Sequence, residues 1–302
     1  MKNNSFITLE YLEKHYNFGL IKEFENNVKT IIDKPLVSVI LITYNHKDFI
    51  KESIEGILSQ VTDFEFEILI GDDGSTDGTR EICIEYAMKY PNNIRLILHS
   101  QENVISVKGK KSGIFQIVYN HLMSRGKYVA ICSGDDVWTD TKKINEQVKI
   151  LETNKNIGLV YIPFILSKSD NTKVFNEFSI SKASTAIYIN IKDKMPKRFL
   201  KVINEDDFTR FIILLTHRHF CYTNSSPILI NEPNNSIMRS KTNFNRGVHM
   251  LNFGKQILLS YLFSKYFRKA IKLFLIRIKV IISNKKYKNF RFKIFYHVFS
   301  NN

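Results

Sequence analysis

The sequence predicts an α/β protein with a doubly wound, mostly parallel sheet, a helical extension before the sheet and a basic amphipathic helical tail after it. Between residues 35 and 164, short runs of almost entirely apolar residues alternate with stretches of helical periodicity. Such runs are typical of parallel strands that helices cover on both faces. Acidic residues follow two of the runs, at the edge where open parallel sheets bind ligands.

The N-terminal extension, residues 1–34, is predicted to be helical because apolar residues recur at helical spacing among charged ones. It contains no apolar segment of the kind that a signal peptide needs. Nowhere does the chain approach the about 20 uncharged apolar residues of a spanning helix. We therefore expect no export by a signal peptide and no crossing of a bilayer.

Five strands and four helices are predicted in the first half of the sheet domain. The strands are 37–43, 66–70, 94–99, 128–132 and 158–164. The helices are 48–60, 79–90, 112–125 and 141–153. In the less regular residues 165–254 we predict only a helix at 206–215 and a strand at 228–230, with His217 and His219 on the surface at a helix end.

The basic residues are concentrated at the C-terminus. The formal net charge is +15, and after Glu232 the chain has basic residues and no acidic ones. Residues 255–302 interleave these cations with Ile, Leu and Phe, which is typical of a helix on an anionic membrane surface. Nucleic acid is the competing partner, and we do not expect it. The three cysteines, an odd number without metal-like spacing, indicate a reducing compartment. We expect a cytoplasmic protein on the inner face of the cytoplasmic membrane.

Two acidic clusters carry the chemistry. Asp72 and Asp73 follow the second predicted strand, and Asp135 and Asp136 follow the fourth. Adjacent carboxylates repel unless a cation lies between them, so the pattern favours a metal and a phosphorylated ligand. The alternative interpretation of the first cluster is a polar turn that caps the next helix, but this does not explain two consecutive acids at a strand end. A calcium loop is excluded because its twelfth position would be Ile84. The glycine patterns of dinucleotide sites and P-loops are also absent.

Several motifs in the same order resemble the inverting family 2 glycosyltransferases. They are PLVSVILITYN at 35–45, DDGSTDGT at 72–79, GKYVA at 126–130 leading to GDDVW at 134–138, and the helix at 147–152. The resemblance implies the nucleotide-diphospho-sugar transferase fold, a Rossmann-like glycosyltransferase A fold. It also implies transfer of a sugar from a nucleotide diphosphate with inversion of the anomeric centre.

The resemblance implies a role for each acidic cluster. Asp136 would ligate Mg²⁺ or Mn²⁺, while Asp135 would contact the ribose or donor sugar and serve as a second candidate ligand. Asp73 would accept a hydrogen bond from the base, and Tyr44 would stack on it, although packing at the strand end also explains Tyr44. The other candidates for nucleotide-sugar contacts are Thr43, Asn45 and Lys111.

The resemblance also implies a general base after the sheet. Asp207 is the first choice and Asp206 the second, although acids in a first helical turn also stabilise the helix dipole by about 0.3 to 1 kcal/mol. Two departures from the family pattern are Ser133, where an acid is frequent, and Pro233 in place of a late Tyr-Arg-x-His segment. The alternatives for completing the metal site are water, another side chain such as His249, or no further ligand.

The sequence thus predicts a metal-dependent glycosyltransferase that modifies a glycan, expected to be lipid-linked, in surface polysaccharide synthesis. Its transferase domain would span 35–254, with a nucleotide-sugar half at 35–164 and an acceptor half at 165–254. Residues 255–302 would associate with the membrane. The alternatives are a sugar nucleotidyltransferase, an inactive family member, or a nucleic-acid-binding protein that uses the basic tail.

Overall fold

The computed structural model describes residues 6–25, 32–107, 110–167, 173–175, 182–201, 219–222 and 228–231. Its helices are α1 Leu9–His15, α2 Ile50–Leu58, α3 Thr79–Lys89, α4 Ile114–Met123 and α5 Lys143–Thr153. The first seven strands are β1 Lys22–Glu23, β2 Val37–Thr43, β3 Phe66–Asp72, β4 Ile94–Leu98, β5 Ile105–Val107, β6 Lys110–Ser112 and β7 Tyr128–Ser133. The next seven are β8 Asp136–Val137, β9 Ile157–Tyr161, β10 Phe164–Ser167, β11 Lys173–Phe175, β12 Ala186–Ile189, β13 His219–Tyr222 and β14 Ile228–Asn231. None of the described helices has the length and apolar character needed to cross a membrane.

The main sheet has eight strands in the order β1-β4-β3-β2-β7-β12-β9-β13. Its central strands β4, β3, β2 and β7 are parallel, and every residue of β2 and β3 is buried. This confirms the predicted α/β class. The sheet is mixed at its sides, because β1 is antiparallel to β4 and β12 is antiparallel to both β7 and β9.

Helices cover the central strands on both faces. On one face Val39 and Leu41 of β2 belong to a core with Ile54 of α2 and other apolar residues of α3 and α5. On the other face Gly71, which pairs with Ile42, lies against Gln116 and Asn120 of α4. A Cβ on Gly71 would lie 2.3 Å from the Asn120 side-chain nitrogen, so α4 packs directly on the strand backbone. The doubly wound arrangement is therefore confirmed.

The N-terminal extension is helical only in part. After α1 and a 3₁₀ turn at Phe18–Leu20, the chain becomes β1 and pairs with the outer edge of β4, with Lys22 opposite Leu98. Phe24 continues this pairing through its backbone N–H, which donates to Leu96 O at 2.8 Å. The predicted helix is wrong at residues 22–23, because an unpaired sheet edge offers backbone hydrogen bonds that periodicity does not reveal.

Three other elements differ from the prediction. The β5–β6 hairpin precedes α4, which therefore begins at Ile114. The predicted strand at 158–164 is divided, because Phe164 begins β10 in a second sheet of order β11-β10-β14-β8. His219 is not at a helix end but begins β13, which pairs with β9 in parallel. The predicted strand at 228–230 is confirmed as β14, whereas the predicted helix at 206–215 and tail at 255–302 lie outside the described residues.

Candidate functional site

The candidate site lies at the carboxyl ends of the parallel strands, which share one edge of the sheet. From the central strand β2 the chain adds β3 and β4 on one side and β7 on the other. The strand order thus reverses between β2 and β7, and a crevice opens where the two following loops diverge. The acidic clusters follow β3 and β7, so both reach this edge.

The loop after β2 carries three of the predicted binding residues. Thr43 is buried at the end of the strand, whereas Tyr44 is 43% exposed. Asn45 has a φ of 54°, a left-handed conformation that asparagine tolerates better than most residues. An exposed aromatic ring at the end of a buried strand is suited to stacking on a planar ligand.

The loop after β3 is fixed by an ion pair beneath it. Asp72 is fully buried, and its Oδ2 accepts hydrogen bonds from Arg80 Nε at 2.6 Å and from the Ser75 N–H at 3.3 Å. Arg80 also donates to His99 O at 2.8 Å, which links the loops after β3 and β4. Asp72 therefore has a structural role, and Asp73 is the first acid beyond the strand.

Hydrogen bonds join the loops after β2 and β3 into one unit. The Asp73 N–H donates to Thr43 O at 3.0 Å, and the Asn45 N–H donates to Ser75 Oγ at 2.9 Å. In return the Thr76 N–H donates to Asn45 Oδ1 at 2.9 Å. The structure thus places Thr43, Asn45 and Asp73 in a single hydrogen-bonded cluster.

Asp77 completes this unit at the start of α3. Its carboxylate accepts hydrogen bonds from the Thr79 side chain at 2.6 Å and from the Lys47 N–H at 3.1 Å. Burial raises the pKa of the Asp77 carboxyl, but the hydrogen bonds from Thr79 and Lys47 outweigh it and lower the pKa below its ordinary value. The capping role that the sequence suggested for this turn is therefore present, and it coexists with the cluster around Asp73.

The acidic motif after β7 lies directly against the loop after β2. The Gly134 N–H donates to Ile42 O at 2.8 Å. A Cβ on Gly134 would lie 2.6 Å from Thr43 Oγ1 and 2.8 Å from His46 Nδ1, so only glycine allows this close approach. The next residue, Asp135, therefore extends from the point where the strand order reverses.

The two acids of this motif have different surroundings. Asp136 is buried, with 6% of its surface exposed, and its Oδ2 accepts a hydrogen bond from the Ser184 hydroxyl. Ser184 Oγ also accepts the Ser133 N–H at 3.1 Å. Asp135 is only partly buried. A hydroxyl from a distant segment thus holds Asp136, while Asp135 is the more accessible carboxylate.

The floor beneath the acids is a buried polar cluster. The Trp138 Nε1–H donates to Ser184 O at 3.0 Å, and the Lys143 ammonium lies 3.8 Å from the centre of the Trp138 ring. Lys143 is fully buried and donates to Gln147 Oε1 at 2.9 Å. Burial lowers the pKa of Lys143 to about 7. Burial and the Asp136 carboxylate raise the pKa of the nearby Cys132 thiol.

The donor set fits a hard divalent cation that is shared with a ligand. Within the described residues, no three His, Cys, Asp or Glu side chains come together as a cation-binding group. Mg²⁺ and Mn²⁺ prefer oxygen ligands, and Mg²⁺ is commonly held by one or two carboxylates together with substrate phosphates. The adjacent carboxylates of Asp135 and Asp136 supply such a partial set.

Other predicted residues are placed only in part. Lys111 lies in β6, where it pairs with Ser106. Asp206, Asp207 and His249 lie outside the described residues, so their predicted roles remain predictions. Ile230 begins the late segment that departs from the family pattern at Pro233. Ile230 of β14 pairs with Asp136 of β8, so this segment begins beside the acidic motif.

Sequence reasoning missed several residues that build the site. Ser184 holds Asp136 from 48 positions away, and no local pattern marks it. Gln101 donates from its side-chain nitrogen to Asp73 O, again from a different loop. Arg80 follows a recognisable capping turn, and an arginine one position into a helix beside a buried acid could have suggested the pair with Asp72.

Comparison with known sequences identifies the matching family. The pattern of Glycosyl transferase family 2 matches residues 38–214. An uncharacterized protein of Mycobacterium tuberculosis (strain ATCC 25618 / H37Rv) is 35% identical over 137 residues, which are 45% of this chain and 37% of that protein. The putative teichuronic acid biosynthesis glycosyltransferase TuaG of Bacillus subtilis (strain 168) is 30% identical over 139 residues, 46% of this chain and 50% of that protein. The matched segment thus spans half or less of these relatives.

Comparison with solved structures supports the fold. S. aureus TarS 1–349 in complex with UDP-GlcNAc superposes with a TM-score of 0.59 and 18% identity, covering 87% of this chain and 81% of that one. The mannosyltransferase PcManGT from Pyrobaculum calidifontis, in complex with GDP-Man and Mn²⁺, gives a TM-score of 0.57 and 13% identity, covering 89% and 88%. At these identities the likeness shows the shared fold.

Proposed function

The chain belongs to glycosyltransferase family 2, and from this we propose that it transfers a sugar from a nucleotide diphosphate to a glycan acceptor with inversion of the anomeric centre. The observation that carries the proposal is the joining of three loops at the strand-order reversal. There Thr43 accepts the Asp73 N–H, and Gly134 packs against Thr43. A planar base, a diphosphate and a cation could be bound side by side along these loops.

The nucleotide would lie over the loops after β2 and β3. Tyr44, 43% exposed, is suited to stack on the base, and the Asp73 carboxylate would accept a hydrogen bond from it. Asn45 holds the two loops together and would border the same pocket. Lys111 is proposed as a cationic contact for the phosphates.

The cation would be Mg²⁺ or Mn²⁺, held by the acids after β7. Because Asp135 is the more exposed of the two acids, we place the cation against Asp135 and keep Asp136 as the second candidate ligand. When bound, a divalent cation neutralises the negative charge that develops on a diphosphate leaving group. The complex of PcManGT with GDP-Man and Mn²⁺ supports this choice.

In the proposed reaction an acceptor hydroxyl attacks the anomeric carbon while the bond from that carbon to the diphosphate oxygen breaks. The hydroxyl proton passes to a carboxylate, for which Asp207 is the first candidate and Asp206 the second. The likeness to TuaG supports a surface polysaccharide as the acceptor. We propose that the acceptor is lipid-linked and that the basic residues 255–302 hold the enzyme on the inner face of the cytoplasmic membrane.

The test is slow hydrolysis of nucleotide sugars in the presence of Mn²⁺. The parent protein is expected to hydrolyse one donor of a panel of UDP- and GDP-sugars, and Asp135→Asn is expected to reduce the rate on the order of a hundredfold or more, by analogy with loss of an electrostatic group. Asp193→Asn is the matched control, because this exposed acid follows β12 at the opposite edge of the sheet. Equal rates for Asp135→Asn and the parent would remove Asp135 from the site, and no hydrolysis of any donor by the parent would count against the transferase itself.

A further inference from the structure

We propose that Gln101 is a positioning residue for the nucleotide pocket and that the N-terminal strap, defined as residues 7–24, holds Gln101 in place. The inference rests on the proposed role of Asp73 as the acceptor for the base. It assigns a function to a segment that lies outside the residues matched by the family pattern.

The backbone of Asp73 is clamped on both sides. Its N–H donates to Thr43 O at 3.0 Å, and its carbonyl oxygen accepts from the Gln101 side-chain amide. Gly74 follows with a φ of 76°, and a Cβ there would lie 3.2 Å from both the Gln101 N and Cγ atoms. Gln101 therefore packs closely against the turn that contains Asp73 and Gly74.

Gln101 is in turn fixed through its own short 3₁₀ turn, Gln101–Asn103. Asn103 is 5% exposed and makes a reciprocal pair of hydrogen bonds with Asn17 of the strap. The Asn17 N–H donates to Asn103 Oδ1 at 3.1 Å, and Asn103 Nδ2 donates to Asn17 O at 2.9 Å. The Asn103 side-chain amide thus satisfies both the backbone N–H and the carbonyl oxygen of Asn17, as a neighbouring strand would in a sheet. The strap is thus tied to the turn that supplies Gln101.

Aromatic contacts hold the strap on the same side of the molecule. The centre of the Tyr16 ring lies 4.7 Å from the centre of the Phe115 ring, and the centres of the Phe18 and Tyr119 rings are 5.6 Å apart. Phe115 and Tyr119 also pack edge-on against His99, the residue before the turn's cap. The strap therefore contacts the segment 99–103 both through Asn103 and through α4.

A second anchor lies beyond the aromatic contacts. Glu23 of β1 accepts from Arg95 Nε of β4 at 2.7 Å. Because Lys22 of β1 also pairs with Leu98, the residue before the segment 99–103, the strap contacts the chain on both sides of that segment. We conclude that the strap and Gln101 act in series on Asp73.

The experiment is a double-mutant cycle on the full chain with two measurements. The variants are Gln101→Leu, Asn103→Ala and their combination, with Lys197→Met as the control because the Lys197 ammonium lies over the Tyr11 ring of the strap, 4.1 Å from the ring centre. Calorimetry with UDP and with GDP, each with Mn²⁺, measures nucleotide affinity. Hydrogen exchange of the Asp73 and Thr76 amides, both of which have hydrogen-bond acceptors, measures the loop in the ligand-free protein.

Gln101→Leu is expected to weaken binding about three- to tenfold, the value of one hydrogen bond. Asn103→Ala should weaken it in the same direction and speed exchange at Asp73. Because Asn103 acts through Gln101, adding Asn103→Ala to Gln101→Leu should weaken nucleotide binding by less than about a further twofold. Additive effects, or exchange at Asp73 that Asn103→Ala leaves unchanged, would overturn the inference. If exchange responds as expected but the parent binds neither nucleotide, the positioning holds and the proposed function fails.

Discussion

Lys143 is a buried cation whose removal gives a quantitative test of the packing beneath the acidic motif. Its ammonium has the Trp138 ring and Gln147 Oε1 as partners, and within the described residues no carboxylate lies at salt-bridge distance from it. Burial lowers its pKa from the ordinary 10.5 to about 7. The native state therefore disfavours the charged form, which the unfolded chain keeps.

The sign and size of the effect follow from linkage. Between about pH 7 and pH 10 the unfolded chain binds the proton and the native protein does not, so the Lys143 contribution to stability rises with pH. With pKa values of about 7 and about 10.5 in the two states, this contribution grows by about 3 kcal/mol between about pH 7 and about pH 9.5. This change is a large part of the total unfolding free energy of an ordinary domain. Lys143→Met removes this pH-dependent contribution.

The assay is urea unfolding of the parent and Lys143→Met near pH 7 and near pH 9.5. The difference in unfolding free energy between the two proteins is expected to shift by about 3 kcal/mol in favour of the parent as the pH rises. Lys142→Met is the matched control, because Lys142 is the exposed neighbour of Lys143 and its replacement should leave the pH dependence of stability unchanged. If Lys143→Met and the parent respond equally to pH, the lysine is not held as the structure indicates.

Two further predictions concern acid stability and the acidic motif. Burial lowers the pKa of His121 to about 4, so the contribution of His121 to stability is complete above about pH 6.5 and is lost as the pH falls toward 4. Between about pH 7 and pH 5, His121→Gln should therefore reduce the loss of unfolding free energy measured in urea by about 2 kcal/mol. The same loss in the variant and the parent would contradict this. Gly134→Ala should weaken Mn²⁺-dependent nucleotide binding because its Cβ would lie 2.6 Å from Thr43 Oγ1. Gly113→Ala, with 3.5 Å to the nearest atom, is the tolerated control, and calorimetry showing equal binding for both would refute the role of the close approach.

The central strands were predictable because burial on both faces forces a continuous apolar pattern. All seven residues of β2 and of β3 are buried, and the strands appear where the apolar runs indicated. β12 gave no such signal. Its four residues are inserted antiparallel between β7 and β9, so its pairing depends on partners about 25 to 60 positions away that a local pattern does not identify.

In the candidate site, the residues at strand ends were predictable and the residues that support them were not. Thr43 ends one of the strands that the pattern defined, Asn45 and Asp73 follow such strands, and the structure joins the three by hydrogen bonds. The supporting residues came from other loops. Gln101 and Ser184 each contact a site residue from a distant segment, and a single polar residue in a short turn carries no recognisable signature.

The acid pair shows what tertiary contacts add to a motif. In the sequence Asp135 and Asp136 are equivalent neighbours, and the resemblance favoured Asp136 as the metal ligand. In the structure the Ser184 hydroxyl donates to Asp136, and the Trp138 indole fixes the Ser184 backbone. A carboxylate oxygen that accepts a hydroxyl hydrogen bond must lose that bond or share the oxygen before it can ligate a cation. Asp135 is the more exposed of the two acids, so we propose that Asp135 makes the first contact with the cation and that Asp136, which Ser184 holds, orients the motif.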